Sequence, residues 1–132
     1  MFEVEVSQSF TAFHYLTVPD PGPEGALHSH EYTVTVRVGS RHLDEYQYVL
    51  DIDLLERIVD DIVAQYRDET LNDKPEFADV NPSLEYFATI IASHIIDSPE
   101  LPHSRLSHVQ VEIAEDNTAS VIYTRDIQNG SG

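Results

Sequence analysis

The chain has 132 residues and a mass of 14.9 kDa, a size for one domain that buries roughly two thirds of its unfolded surface. With 41% hydrophobic residues and no run of 18 apolar ones, it reads as globular, neither disordered nor membrane-spanning. Against 24 Asp and Glu stand only 7 cations, six of them Arg, and the resulting net charge of -17 repels nucleic-acid backbones and anionic lipid. The acids are dispersed rather than massed in a tail, as in Glu3, Glu5, Asp44, Glu45, Asp60, Asp61, Asp97 and Glu112. That is the pattern of a surface adapted to multimolar salt, the alternative being an acidic protein at ordinary salt. No cysteine is present, which excludes disulfides, thiolate catalysis and Cys-ligated zinc. The opening MFEVEVSQSF has acids where a signal peptide needs basic residues, so a cytoplasmic protein is expected.

Phe2, Val4 and Val6 alternate with Glu3, Glu5 and Ser7, and the period of two continues through Phe10, Ala12 and His14 to Leu16. This predicts one long strand, with a bulge near Ser9 as a possible interruption. VPDPGPEG, holding three of the seven prolines, predicts a loop. From His30 through Tyr32, Val34, Val36 and Val38 the alternation returns, giving a second half-buried strand antiparallel to the first. From Asp51 to Tyr66 the spacing changes to Ile52, Leu55, Ile58, Val59, Ile62, Val63 and Tyr66, the stripe of an amphipathic helix. A second helix is expected from an Asn81 cap and Pro82, through Phe87, Ala88, Ile91 and Ile95, stopping before Pro99. Val109 to Ile113 and Ser120 to Thr124, around a turn at Asp116-Asn117, complete the domain as a hairpin. The fold class is therefore α+β, in the order ββααββ. Residues 1–127 form a single domain and 128–132 a flexible tail.

His28 and His30 are two apart on one strand and leave the same face; His14 has the same opportunity on the neighbouring strand. Three imidazoles converging from paired strands would give a catalytic metal site with an open position. Spacing alone leaves that reading and ordinary strand histidines both open. His42, His94, His103 and His108 read as surface or satisfied structural residues.

Taken in order, SFTAFHYL, LHSHEYTVTV, VLDIDLLERIV, DETLND, NPSLEYFA and an acidic residue before TASVIY resemble the 6-pyruvoyl tetrahydropterin synthase and 6-carboxy-tetrahydropterin synthase family, from Phe10 to Tyr123. The resemblance implies the tunnelling fold, with an antiparallel sheet carrying two helices on one face. It also implies trimers closing a β-barrel and stacking into hexamers, with active sites between copies, so the expected partners are the chain itself and a pterin, without nucleic acid or membrane. The implied substrate is 7,8-dihydroneopterin triphosphate, reworked on Zn2+ held by His14, His28 and His30, for folate, pterin-cofactor or deazaguanine pathways. Glu115 falls at the pterin-anchoring position, where a carboxylate accepts from two adjacent N–H groups of the ring. Glu85 and Ser83, in NPSLE, fall where the family supports the pterin edge.

Two departures change the implied chemistry. The family's cysteine, four residues before the histidine pair, is here Glu24 in EGALHSH. Its Asp-His dyad is here Asp68-Glu69 in RDETLND. With carboxylates at both proton-handling positions, the expectation is a lyase in which Glu24 is the general base and Asp68 and Glu69 relay the proton. A glutamate in the cysteine position resembles a known form of the family that favours retro-aldol cleavage to 6-hydroxymethyl-7,8-dihydropterin. The alternatives are a catalytically silent zinc- and pterin-binding homologue and a metal-free structural subunit. The substrate's triphosphate would need local counter-charge from Arg37, Arg41, Arg105, Lys74 or bound cations.

Overall fold

The computed structural model describes residues 1–127; the tail expected at 128–132 lies outside the described residues. Alternating side chains build the sheet. Strand β1 (Phe2–His14) pairs antiparallel with β2 (His28–Ser40) along its whole length, from Phe2 opposite Ser40 to His14 opposite His28. The register is unbroken, so there is no bulge near Ser9, and β1 ends at His14 rather than Leu16. Strand β3 (His108–Glu115) pairs with β2, β4 (Ala119–Asp126) pairs with β3, and the order across the sheet is β1-β2-β3-β4. Both Asp116 and Asn117 have positive φ, the left-handed geometry a tight hairpin turn requires and short polar side chains tolerate.

Helix α1 (Ile52–Tyr66) is capped by Asp51, whose carboxylate accepts from the Asp53 amide. It lays Leu55, Ile58, Val59, Ile62, Val63 and Tyr66 on the sheet beside β1. Helix α2 (Leu84–Ile96) lies over β3 and β4. It begins two residues later than the Asn81-Pro82 start expected from sequence, because the Ser83 hydroxyl caps it by accepting from the Tyr86 amide at 3.0 Å. The Asn81 carboxamide instead accepts from the Thr17 amide at 2.9 Å.

The core lies between the helices and one face of the sheet, built from Phe10 and Ala12, the alternate residues Tyr32, Val34, Val36 and Val38 of β2, and Val109, Val111 and Ile113 of β3, with the buried helix positions. The opposite face is polar: Arg37 reaches Glu5 and Glu112, and Ser7 and Ser9 meet Thr35 and Thr33. The even-numbered residues of β2 face the core, so His28 and His30 continue the line of Tyr32 and Val34 at the end of the sheet. No described helix is long and apolar enough to cross a membrane.

Candidate metal centre

Beyond the last apolar layer the core face ends in three imidazoles. His14 and His28 are register partners, with ring centroids 4.6 Å apart; His30 lies 4.7 Å from His28 and 5.0 Å from His14. Tyr32 forms the floor, its ring 6.2 Å from His14 and 6.0 Å from His30, backed by Phe10 and Phe87.

Every Nδ1 is held by an acceptor: His14 by the Pro82 carbonyl at 3.2 Å, His28 by the Ala26 carbonyl at 2.8 Å, and His30 by the Asp116 carboxylate. Carbonyls and carboxylates only accept, so each ring carries its proton on Nδ1 and presents an Nε2 lone pair. All three Nε2 atoms are buried without a hydrogen-bond partner. Leaving a buried acceptor unsatisfied costs on the order of 1–3 kcal/mol, and three such lone pairs within 4.8 Å of one another fit a cation held by nitrogen ligands. Glu115 Oε1 lies 2.8 Å from His30 Nε2 without hydrogen-bond alignment, an approach of two electron-rich atoms that a cation between them would relieve.

Burial is the main reason the His14 pKa drops to about 4, helped by the neighbouring charges of His28 and His30. The ring therefore stays neutral and ligand-ready far below ordinary pH. Burial also raises Glu115, with Glu24 and Asp116 adding to the effect, while the bond from His30 and then the Glu31 amide hold Asp116 below the usual carboxylate range. Tyr32 is pushed well up by burial and the two acids beside it.

Two carboxylates meet this cluster. Glu24 and Glu115 each place an oxygen within 4.8 Å of the other and of His30. Glu24 arrives on a short 3-10 turn, Gly22–Gly25, whose entry uses the positive φ of Gly22 and whose Glu24 carbonyl accepts from the Leu16 amide at 2.9 Å. Glu115 arrives from the end of β3, opposite Tyr32 in register and therefore on the same face.

A model of the 6-pyruvoyl tetrahydropterin synthase family matches residues 3–126. The chain belongs to that family. Among its relatives is the 6-carboxy-5,6,7,8-tetrahydropterin synthase of Bacillus subtilis (strain 168), 24% identical over 126 residues that cover 92% of this chain and 84% of the relative. A 6-pyruvoyltetrahydropterin synthase of Plasmodium vivax, solved as a catalytic-residue variant with glutamate changed to alanine, superposes with a TM-score of 0.79 at 20% identity, covering 96% of this chain and 98% of its own. The Caenorhabditis elegans 6-pyruvoyl tetrahydropterin synthase gives 0.72 at 21% identity, covering 95% and 94% of the two chains. These structural likenesses establish a shared fold.

Not every residue that the family resemblance singled out reaches the cluster. Asp68 and Glu69 run along the outer edge of β1, where the Asp68 amide donates to Thr11 and the Glu69 carbonyl accepts from Phe13. Their side chains are exposed, and neither joins the group around the histidines. Ser83 uses its hydroxyl as a helix cap, and Glu85 stands exposed in the first turn of α2. Conversely, Asp116, Pro82 and Ala26 hold the imidazoles although the sequence marked Asp116 only as a turn residue and Pro82 only as a helix start, and did not single out Ala26. Asp116 was the one with a legible signal: an Asp in the first turn position past a strand that ends beside the H-x-H strand. Its carboxylate binds both His30 Nδ1 and, at 2.8 Å, the Glu31 amide.

Proposed function

We propose that the chain is a zinc-dependent lyase that reworks the side chain of 7,8-dihydroneopterin triphosphate. The observation that carries this reading is the convergence of three unpartnered Nε2 atoms with Glu24 and Glu115 against His30. Family membership supports the pterin chemistry. His14, His28 and His30 would hold the metal, which when bound supplies a Lewis acid that lowers the pKa of hydroxyls on the substrate side chain.

Glu24 is the base in this reading. It stands at the cluster, on a loop rather than in the core, so its carboxylate is free to take a proton from a side-chain hydroxyl or carbon. The Plasmodium vivax relative described as a glutamate-to-alanine catalytic-residue variant supports a glutamate in a catalytic role. Glu115 anchors the ring by accepting from two neighbouring N–H groups, and its half-buried position makes that charge-assisted pair worth more than at the surface. Glu85 would support the ring edge beside the Ser83-capped helix start.

The separation of Asp68 and Glu69 from the histidines of their own chain favours assembly, with a second copy supplying the proton relay at each site, and a hexamer is the form the family resemblance implies. The same separation favours, as second reading, a homologue that binds zinc and pterin without turnover. Family membership fits a cytoplasmic location, and the dispersed acidic charge fits adaptation to high salt.

The test is incubation of zinc-loaded protein with 7,8-dihydroneopterin triphosphate in concentrated KCl, with products identified by mass spectrometry. A 6-hydroxymethyl, 6-pyruvoyl or, with a carbonyl partner, 6-carboxy pterin establishes the lyase and names its product. Absence of turnover with zinc and pterin still bound establishes the second reading.

A further inference from the structure

Past the last register pair, His14 opposite His28, the chain leaves the sheet, yet each of its next three amides is held. The Tyr15 amide donates to Asn72 Oδ1 at 3.0 Å, and the Tyr15 carbonyl accepts from Asn72 Nδ2 at 2.9 Å. One side chain thereby exchanges both bonds with one residue, as the backbone of a strand neighbour would. The Leu16 amide donates to the Glu24 carbonyl at 2.9 Å, and the Thr17 amide donates to Asn81 Oδ1 at 2.9 Å.

Asn72 completes an edge that its own segment begins. The Asp68 amide donates to the Thr11 carbonyl at 2.7 Å, the Phe13 amide donates to the Glu69 carbonyl at 2.9 Å, and Thr70 bridges Phe13. Residues 11, 13 and 15 along the outer edge of β1 are thus held in turn by the segment 68–72, with the Asn72 carboxamide replacing backbone at the last step. Asn81 is joined to the histidines directly, because the next residue is Pro82, whose carbonyl holds His14 Nδ1 at 3.2 Å. Three parts of the candidate centre therefore hang on Tyr15–Thr17. His14 precedes the segment, the acceptor for its Nδ1 is tied to it through Asn81, and the Glu24 turn is suspended from its middle amide.

We propose, on the reading of His14 as metal ligand and Glu24 as base, that Asn72 and Asn81 are positioning residues that fix His14 and the Glu24 turn in one mutual arrangement. Both side chains are spent on backbone groups of Tyr15 and Thr17, so they act through that segment. A carboxamide suits position 72 because it alone donates and accepts at once; aspartate offers nothing to the Tyr15 carbonyl, and alanine offers neither bond. Released from the clamp, the segment lets the imidazole and the base drift apart. A misplacement of about 1 Å at a reacting group costs roughly 10²-fold in rate, and loss of the groups that orient a ligand costs about 10–100-fold in metal affinity.

Two measurements on Asn72→Ala and Asn81→Ala test this: zinc affinity by competition with a chromophoric chelator, and kcat and KM for 7,8-dihydroneopterin triphosphate at full zinc loading. Each variant is expected to lose about tenfold or more in zinc affinity. At full loading kcat should fall by about tenfold or more while KM stays within a few-fold of wild type. Asn72→Asp, the milder change, keeps the bond from the Tyr15 amide and should fall between wild type and Asn72→Ala. Ser40→Ala is the control for general loosening, since it also deletes two bonds, to the His42 and Arg105 carbonyls at 2.6 and 2.9 Å, but at the far end of β2. It should leave zinc affinity and kcat unchanged. Wild-type zinc affinity in either folded Asn variant, wild-type kcat in either, or an equal loss in Ser40→Ala overturns the proposal. A wild type that binds zinc without turnover defeats the lyase reading alone, and zinc affinity still decides the roles of Asn72 and Asn81. Absence of zinc binding by wild type overturns both.

Discussion

His30 Nδ1 and the Asp116 carboxylate are bonded across 86 residues of sequence, so the β3–β4 turn fixes the orientation of a histidine on β2. That bond leaves His30 Nε2 as acceptor and aims it at His14 and His28. Partners of this kind typically contribute 10–100-fold to metal affinity. Asp116→Asn is therefore expected to weaken zinc binding by about one to two orders of magnitude while preserving stoichiometry, measured by competition with a chromophoric chelator. An unchanged affinity would show that the bond is incidental.

Removing a ligand outright has a larger expected effect. In His28→Ala the two remaining imidazoles cannot close the coordination shell, and protein passed through a desalting column should retain almost no zinc by elemental analysis. Full retention would place the ion elsewhere.

Glu24→Ala separates catalysis from binding. The carboxylate touches the cluster from a loop that contributes no buried residue, so fold and zinc content should be unaltered. Product formation should fall by about 10²–10⁴-fold, the usual contribution of a general base, with pterin affinity within a few-fold of wild type. Equal rates would remove Glu24 from the mechanism.

Metal-free protein should carry the signature of His14 in its pH dependence. The folded pKa, about 4, lies below the unfolded value of 6.5, so the unfolded chain takes up a proton first and stability is lost as pH falls from about 6.5 towards 4. At pH 5 this one group accounts for about 2 kcal/mol. Urea unfolding of wild type and His14→Gln at pH 7 and pH 5 checks it: the variant should lose less stability between the two. Parallel losses would show that His14 titrates normally.

Gly39→Ala should destabilise the chain by about 1–3 kcal/mol through overcrowding. The new methyl meets the His108 ring at 2.1, 2.6 and 2.8 Å, and the ring must leave both Glu3 and Ser107 to make room. A thermal melt equal to wild type would show that the ring moves without cost.

Periodicity alone was enough to determine the elements of this chain and their faces. Alternation from Phe2 to His14 and the stripe from Leu55 to Tyr66 are local consequences of which side chains must leave water, and they place His28 and His30 on the same face before any contact is known. Two consecutive alternating runs separated only by a Pro- and Gly-rich loop made the antiparallel pairing of β1 and β2 legible, and with it the meeting of His14 and His28. Local patterns could not choose between Asn81 and Ser83 as cap of α2, since both are good caps and the decision rests on Thr17, which claims the Asn81 side chain from the loop after β1. Nor could they show that Pro82 and Asp116 set the tautomers of His14 and His30. Those relationships join residues far apart in the chain. They exist only once packing of the helices on the sheet has fixed which loop ends meet, and tertiary structure alone decided them.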